Sequence, residues 1–280
     1  MVNTSTIQEI ELTELRRLTA FVQERFGYDF SNYAMSSFKR RITRILELER
    51  INSVDALIRK LEQNPDTVHD FISEVTVNVT EMFRDPSFWR VLRDKVIPNI
   101  LLNHDKVSIW HAGCSSGEEV YSMAILLQEM GILDKAKIVA TDMDKAILAR
   151  AREGKYTIKN MELNEKNYIR FQGKGSLKDY YTVNGGVAQM DKSLVANISY
   201  REHDLTQGTL FSKFDLVLCR NVMIYFNQQL QNQVLHLLHE SLFKYGYLII
   251  GSKESLVWCE IANKFIVANN EEKIYKKVKD

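Results

Sequence analysis

Gly113 and Gly117 bracket Cys114, Ser115 and Ser116, and two acids, Glu118 and Glu119, follow at once. The apolar run Val107–Ala112 leads into this turn, and a helical apolar pattern through Met123, Ile125, Leu126 and Leu127 leaves it. Strand, glycine turn and helix together present a nucleotide-like ligand at the carboxyl end of a first parallel strand. Dinucleotide binders use G-x-G-x-x-G so that backbone amides can approach a pyrophosphate; here the spacing is G-x-x-x-G. Acids at the start of the helix repel a phosphate and suit a cation. The turn therefore points to a ligand with a positively charged amino-acid end, S-adenosylmethionine (AdoMet) rather than NAD. Asp142 closes a second apolar run, residues 137–141, and an acid ending the second strand of a βαβ unit is placed to accept both hydroxyls of a ribose.

The elements that must hold these residues follow from patterning. Val107–Ala112, 137–141, 198–201, Phe214–Cys219 and "YGYLIIG" alternate with helical stretches, the signature of an α/β fold with a mostly parallel sheet. Phe214–Cys219 is near-continuously apolar, interrupted only by Asp215, and must be buried on both faces. "NKFIVANNEEKIYKKV" reads as two strands around Asn269 and Asn270, an antiparallel end to the sheet. Residues 155–197 break the alternation, and "KDYYTVNGGVAQMD" within them is a hairpin with its turn at Asn184, Gly185 and Gly186. They are expected to form a β-rich insertion.

Residues 1–75 read as helical. Leu12, Leu15, Leu18, Phe21, Val22 and Phe26 share one face of a helix ended by Gly27, and Ser53 caps a later one. In "SSFKRRITRILELER", Phe38, Ile42, Ile45 and Leu46 take the buried side. Arg40 and Arg44 take the opposite side, with Lys39 and Arg41 at its margins. The β-branched residues 75–80 are poor helix interior, and Asp85-Pro86 opens a new helix. The expected organisation is an all-helical domain over 1–75, a linker over 76–92 and an α/β domain over 93–280.

A net charge of +1 gives no whole-molecule field toward nucleic acid or anionic lipid. The three cysteines, Cys114, Cys219 and Cys259, are too scattered for a disulfide framework, and the six histidines show no metal spacing. No apolar run reaches the roughly 18 residues of a membrane span. A soluble, cytoplasmic chain without a metal is expected.

Four strings, "NVTEMFRD", "GCSSGEEVYSMAI", "ATDMD" and "CRNVMIYF", in this order and spacing, resemble the chemotaxis-receptor methyltransferases, the CheR family, over nearly the whole chain. The resemblance implies an AdoMet-type Rossmann domain with an inserted β-subdomain, behind an all-helical domain. It implies that Asn78, Thr80 and Arg84 close over the cofactor and that Glu119 meets its methionine end. Asp142 would hold the ribose, Asp204 and Leu205 flank the adenine, and Arg220 and Asn221 line the pocket. Tyr225 would point toward the departing methyl group. Arg84 could act on the cofactor's carboxylate or orient the substrate's. The reaction implied is methyl transfer from AdoMet to receptor glutamate side chains, giving methyl esters and S-adenosylhomocysteine (AdoHcy). The partner would be the helical bundle of a chemoreceptor met by a monomer, with Arg40, Arg41 and Arg44 as the docking face. In some members the β-subdomain also adds a receptor peptide tether as an extra strand.

Departures from the family pattern are Val120 where proline is usual, Asp204 where Asn is frequent, and a less basic second helix. Two other readings remain open on sequence. One is an AdoMet methyltransferase of another substrate class, although "RNVMIYF" lacks the prolines of amino-methylating DNA enzymes. The other is a non-catalytic AdoMet-sensing module.

Overall fold

Capping residues set the limits of the first helices. The computed structural model describes residues 9–76 and 80–280. Helix α1 (Leu12–Phe26) stops at Gly27, whose φ of +83° a side chain would disfavour. Helix α2 (Met35–Glu49) buries Phe38, Ile42, Ile45 and Leu46, the side expected. Ser53 caps α3 (Val54–Gln63) by accepting the Ala56 N–H. Two expectations fail here. Leu12 is 46% exposed although its neighbour on the same face, Leu15, is buried. Helix α4 (Val68–Thr76) runs through the β-branched Val75 and Thr76, and the Thr76 hydroxyl donates to the Ile72 carbonyl, bonding back within the helix.

The chain divides into two compact units, Met1–Asn78 with Tyr225–Gln231 and Val79–Ile224 with Asn232–Asp280. In the first, Phe30 packs edge-on to Tyr33 and Phe71 and stacks on Phe38. The Tyr225 carbonyl accepts the Ala34 N–H at 2.8 Å, and Tyr33 packs on Phe226.

The second unit opens with α5 (Pro86–Val91), a π-helical turn (Leu92–Val96) and α6 (Ile97–Leu101). Strand β1 (Val107–Ala112), α7 (Glu118–Glu129), β2 (Ala136–Asp142) and α8 (Lys145–Glu153) follow. An insertion then carries β3 (Lys155–Thr157), α9 (Ile158–Phe171), β4 (Tyr181–Asn184) and β5 (Val187–Met190). The remainder is β6 (Ser199–Glu202), β7 (Phe214–Cys219), α10 (Gln228–Glu240), β8 (Leu242–Ile250), β9 (Phe265–Asn269) and β10 (Ile274–Lys277).

The large sheet has the order β6-β2-β1-β7-β8-β10-β9. β1 pairs in parallel with β2 and β7, while β10 pairs antiparallel with β8 and β9. This is the AdoMet-methyltransferase Rossmann architecture with antiparallel end strands, preceded by an all-helical unit. The inserted sheet, β3-β5-β4, is antiparallel, and its hairpin turns at Gly185 and Gly186, both with positive φ. Helix α9 inside the insertion was not expected. Its buried face mixes Met161, Tyr168 and Phe171 with Asn164 and Asn167, which blurs the apolar period.

Those asparagines have a task. Asn164 Oδ1 accepts the Met82 N–H at 2.9 Å, and Asn167 Nδ2 donates to the Met82 carbonyl at 3.1 Å. The Ser122 hydroxyl accepts the Phe83 N–H at 2.8 Å. Phe83, fully buried and stacked on Phe171 at 4.7 Å, sits at φ +51°, and Asp85 at +56°. Left-handed backbone at a non-glycine residue costs roughly 1–2 kcal/mol, so packing and hydrogen bonds must hold the segment in shape. Residues 82–85 are thereby fixed to α7 and α9 ahead of the site.

Candidate active site

The carboxyl ends of β1, β2 and β7 converge on the turn after β1. Gly113 has φ +76°, and a Cβ there would come within 2.6 Å of Val222 Cγ2. Gly117 has φ +91°, and its Cβ would meet Ala151 Cβ at 2.9 Å. Glycine at both positions lets the turn lie flat against α8 and the loop after β7.

Glu119, in the first turn of α7, is held at both carboxylate oxygens. His111 Nδ1, in the buried middle of the sheet, donates to Oε1 at 2.9 Å, and Arg220 Nη1 donates to Oε2 at 3.0 Å. With its proton on Nδ1, His111 keeps Nε2 as a buried acceptor without a partner among the described residues. Burial alone would raise the Glu119 carboxyl. The His111 hydrogen bond and the Arg220 charge outweigh it and hold the group below its ordinary range.

Arg220 is 3% exposed at its side chain. Its Nη2 donates to Asp85 Oδ2 at 2.6 Å and to the Arg84 carbonyl at 3.4 Å, and its guanidinium lies 4.2 Å from the Phe88 ring centre. The Arg84 carbonyl also accepts the Trp89 indole N–H at 3.0 Å. One guanidinium charge thus faces two carboxylates, Glu119 and Asp85, which leaves one negative charge in excess.

Asp142, at the end of β2, accepts the Ser115 N–H at 2.9 Å on Oδ2 and the Asp144 N–H at 3.1 Å on Oδ1. Burial pushes its pKa up to about 6, against the amides of Ser115, Asp144 and Met143. Each oxygen keeps a further lone pair. Asp204 closes its own turn, with Oδ1 accepting the Thr206 N–H at 2.8 Å, and Leu205 beside it is buried. The His203 N–H donates to the Asp142 carbonyl at 3.0 Å, which seats this turn beside β2. Asn221, after β7, has φ +61° and is half-buried.

The structure therefore gathers Glu119, Asp142, Arg220, Asn221 and the Asp204–Leu205 turn at neighbouring strand ends, with the Arg84 backbone bonded to Arg220. Arg84's side chain is half-buried and forms no ion pair among the described residues; Thr80 is half-buried, and Asn78 lies outside the described residues. Tyr225, Arg40, Arg41 and Arg44 belong to the helical unit. Sequence reasoning missed Asp85, His111 and Glu254. Each is a second partner to a recognised residue, and no spacing rule marks such partners.

The donor set suits AdoMet. Glu119 within an anionic surplus fits the ammonium of the methionine end, and the spare lone pairs of Asp142 fit a ribose diol. No group of three or more acidic, histidine or cysteine side chains among the described residues could hold a metal. No helix among them is long and apolar enough to cross a membrane.

Comparison with known proteins agrees with this chemistry. Residues 78–274 match the family model "CheR methyltransferase, SAM binding domain", and residues 13–76 match "CheR methyltransferase, all-alpha domain". A Pseudomonas putida protein with the provisional name methyltransferase Cher3 is 40% identical over 94% of this chain and 96% of its own length. The chemotaxis protein methyltransferase of Listeria innocua is 33% identical, over 85% of this chain and 88% of its own. Chemotaxis protein methyltransferase 1 of Vibrio cholerae is 29% identical, over 94% and 96% respectively.

The buried acids make stability pH-dependent. Burial pushes Glu118 up to about 7, although the Ser116 hydroxyl donates to it at 2.7 Å. An acid whose folded pKa lies above its unfolded value contributes stability at low pH that is lost as pH rises through the folded pKa. Replacing Glu118→Gln keeps an acceptor for Ser116 and removes the titration. Between pH 6 and pH 8 the stability of the wild type is expected to fall relative to E118Q by roughly 1 kcal/mol. Urea unfolding at both pH values measures the stability of the wild type minus that of E118Q; a difference that is unchanged or larger at pH 8 than at pH 6 contradicts the assignment.

Proposed function

The chain belongs to the CheR methyltransferase family, and we propose that it transfers the methyl group of AdoMet to glutamate side chains of chemoreceptors, forming glutamyl methyl esters in chemotactic adaptation. The observation that carries this reading is the charge arrangement at the strand ends. The acids Glu119 and Asp85 are engaged by Arg220, whereas Arg84 has no acid partner among the described residues. The site thus offers an anionic seat for the cofactor's ammonium and one cation for a carboxylate.

A glutamate carboxylate, with an ordinary pKa of about 4.3, is already ionised at neutral pH, so the reaction needs no general base. AdoMet, held by Glu119 and Asp142, would supply a sulfonium methyl as the electrophile for a carboxylate oxygen, the carbon–sulfur bonding pair remaining on sulfur. What the chain must do is strip water from the incoming carboxylate and hold it in line. Tyr225 is proposed to donate a hydrogen bond to that carboxylate. Tight pairing of Arg84 with the nucleophile would lower its reactivity, which favours a role for Arg84 on the cofactor's carboxylate with some influence on the substrate. Asn78 and Thr80 are proposed to close the same side. Asp204 and Leu205 would flank the adenine and Asn221 the pocket wall.

For the receptor, Arg40 and Arg44 are exposed on α2, although Arg44 is drawn toward Glu74 at 3.6 Å. Arg41 is half-buried, with Nε enclosed and unpartnered among the described residues, so it contributes less to a docking face than the other two. The outer strand β4, with Thr182, Val183 and Asn184 exposed, offers an edge for an added receptor peptide.

With tritiated AdoMet and receptor cytoplasmic fragments, the wild type is expected to deposit label that base releases as methanol. Binding of AdoHcy with no base-labile label in any receptor-containing lysate would favour the sensing module. In the same assay Arg40→Glu with Arg44→Glu should lower receptor methylation about tenfold and leave AdoHcy affinity unchanged, as a lost docking charge would. Undiminished methylation would remove α2 as the docking face.

A further inference from the structure

The loop after β8 contains an acid that neither the cofactor nor the substrate needs for charge. Glu254 is 6% exposed and forms no ion pair among the described residues. Its partners are backbone amides of the loop after β7 and of Gly251 in its own loop. Oε2 accepts the Asn221 N–H at 3.0 Å and the N–H of Gly251, Oε1 accepts the Ile224 N–H at 3.2 Å, and the Met223 amide also faces the carboxylate. Isolated burial of a carboxylate is strongly unfavourable; several amides directed at it offset that cost.

The fit leaves no slack. A Cβ on Gly251 would lie 2.7 Å from Asn221 Nδ2, 2.8 Å from Asn221 N and 2.8 Å from Glu254 Oε2. Asn221 itself holds a left-handed φ of +61°, which the Glu254 contact to its N–H helps impose. The segment so gripped runs from Asn221, beside Arg220, to Ile224, the residue before Tyr225.

We propose that Glu254 is a positioning residue for methyl transfer: its carboxylate fixes the turn after β7, with Oε2 setting the cofactor end at Asn221 and Oε1 setting the end that leads into Tyr225. The proposal rests on the methyltransferase reading above. The two oxygens have different consequences. In Glu254→Gln the amide oxygen can stay in the Oε2 place and keep Asn221 and Gly251, while its NH2 meets the Ile224 N–H donor to donor. In Glu254→Ala both ends are released.

AdoHcy calorimetry and steady-state methylation of a receptor fragment separate these effects. E254Q is expected to hold AdoHcy affinity within about twofold of the wild type and to lower kcat about tenfold or more, with little change in the receptor KM, whereas E254A weakens AdoHcy about tenfold as well. A kcat for E254Q within twofold of the wild type overturns the proposal. So does a parallel loss of AdoHcy affinity, kcat and unfolding midpoint in both variants, which is what a merely structural acid would give. If the wild type methylates no receptor, the functional reading fails separately. AdoHcy calorimetry then decides: E254Q near wild type with E254A weakened upholds the positioning role at the cofactor end, and equal affinities for the two variants refute it.

Discussion

A single buried guanidinium joins parts of the second unit that lie far apart in sequence. Arg220, at the end of β7, holds Glu119 of α7, the side chain of Asp85 and the carbonyl of Arg84. Burying these charges is unfavourable unless each finds its partners, and removing one partner strands the others. The network therefore specifies arrangement more than it adds stability. It sets where the first turn of α7 points relative to residues 84 and 85, and it does so while leaving a surplus negative charge. A cationic ligand end completes the balance; a phosphate would worsen it. The choice of AdoMet chemistry over dinucleotide chemistry is an electrostatic consequence of this bridge.

Much of the site and its surroundings is held under tension. Asp142 and Glu118 are pushed toward protonation by burial, and Phe83, Asp85, Ser115 and Asn221 hold left-handed backbone. Such features persist when surrounding structure over-determines them. Here the surroundings are specific: Asn164 and Asn167 clasp Met82, Ser122 clasps Phe83, and Glu254 clasps the turn after β7. Binding can then proceed with little ordering cost, which suits a reaction in which orientation of an already charged nucleophile is the main task.

The parts of this design written in local patterns were legible in the sequence. β1 and β7 fall where their mostly apolar runs begin and end, because strands buried on both faces favour apolar residues on both. The turn from Gly113 to Gly117, the acid at Asp142 and the terminal hairpin were readable for similar reasons. The illegible parts are those in which a polar residue replaces an apolar one inside the core. Helix α9 escaped because Asn164 and Asn167 occupy its buried face, and their purpose, 82 and 85 residues away in sequence, lies beyond any window. His111 hid in an apolar strand, and Glu254 in a loop. Leu12 shows the reverse: its period places it on the buried face, yet it is exposed.

A crystal structure with AdoHcy bound tests the central claim most directly. The ligand's ammonium is expected against the Glu119 carboxylate and its ribose hydroxyls on Asp142, with Arg220 still bridging Glu119 and Asp85. A structure in which Arg220 has left Asp85 to pair with the ligand's carboxylate, or in which the ammonium lies away from Glu119, would contradict it.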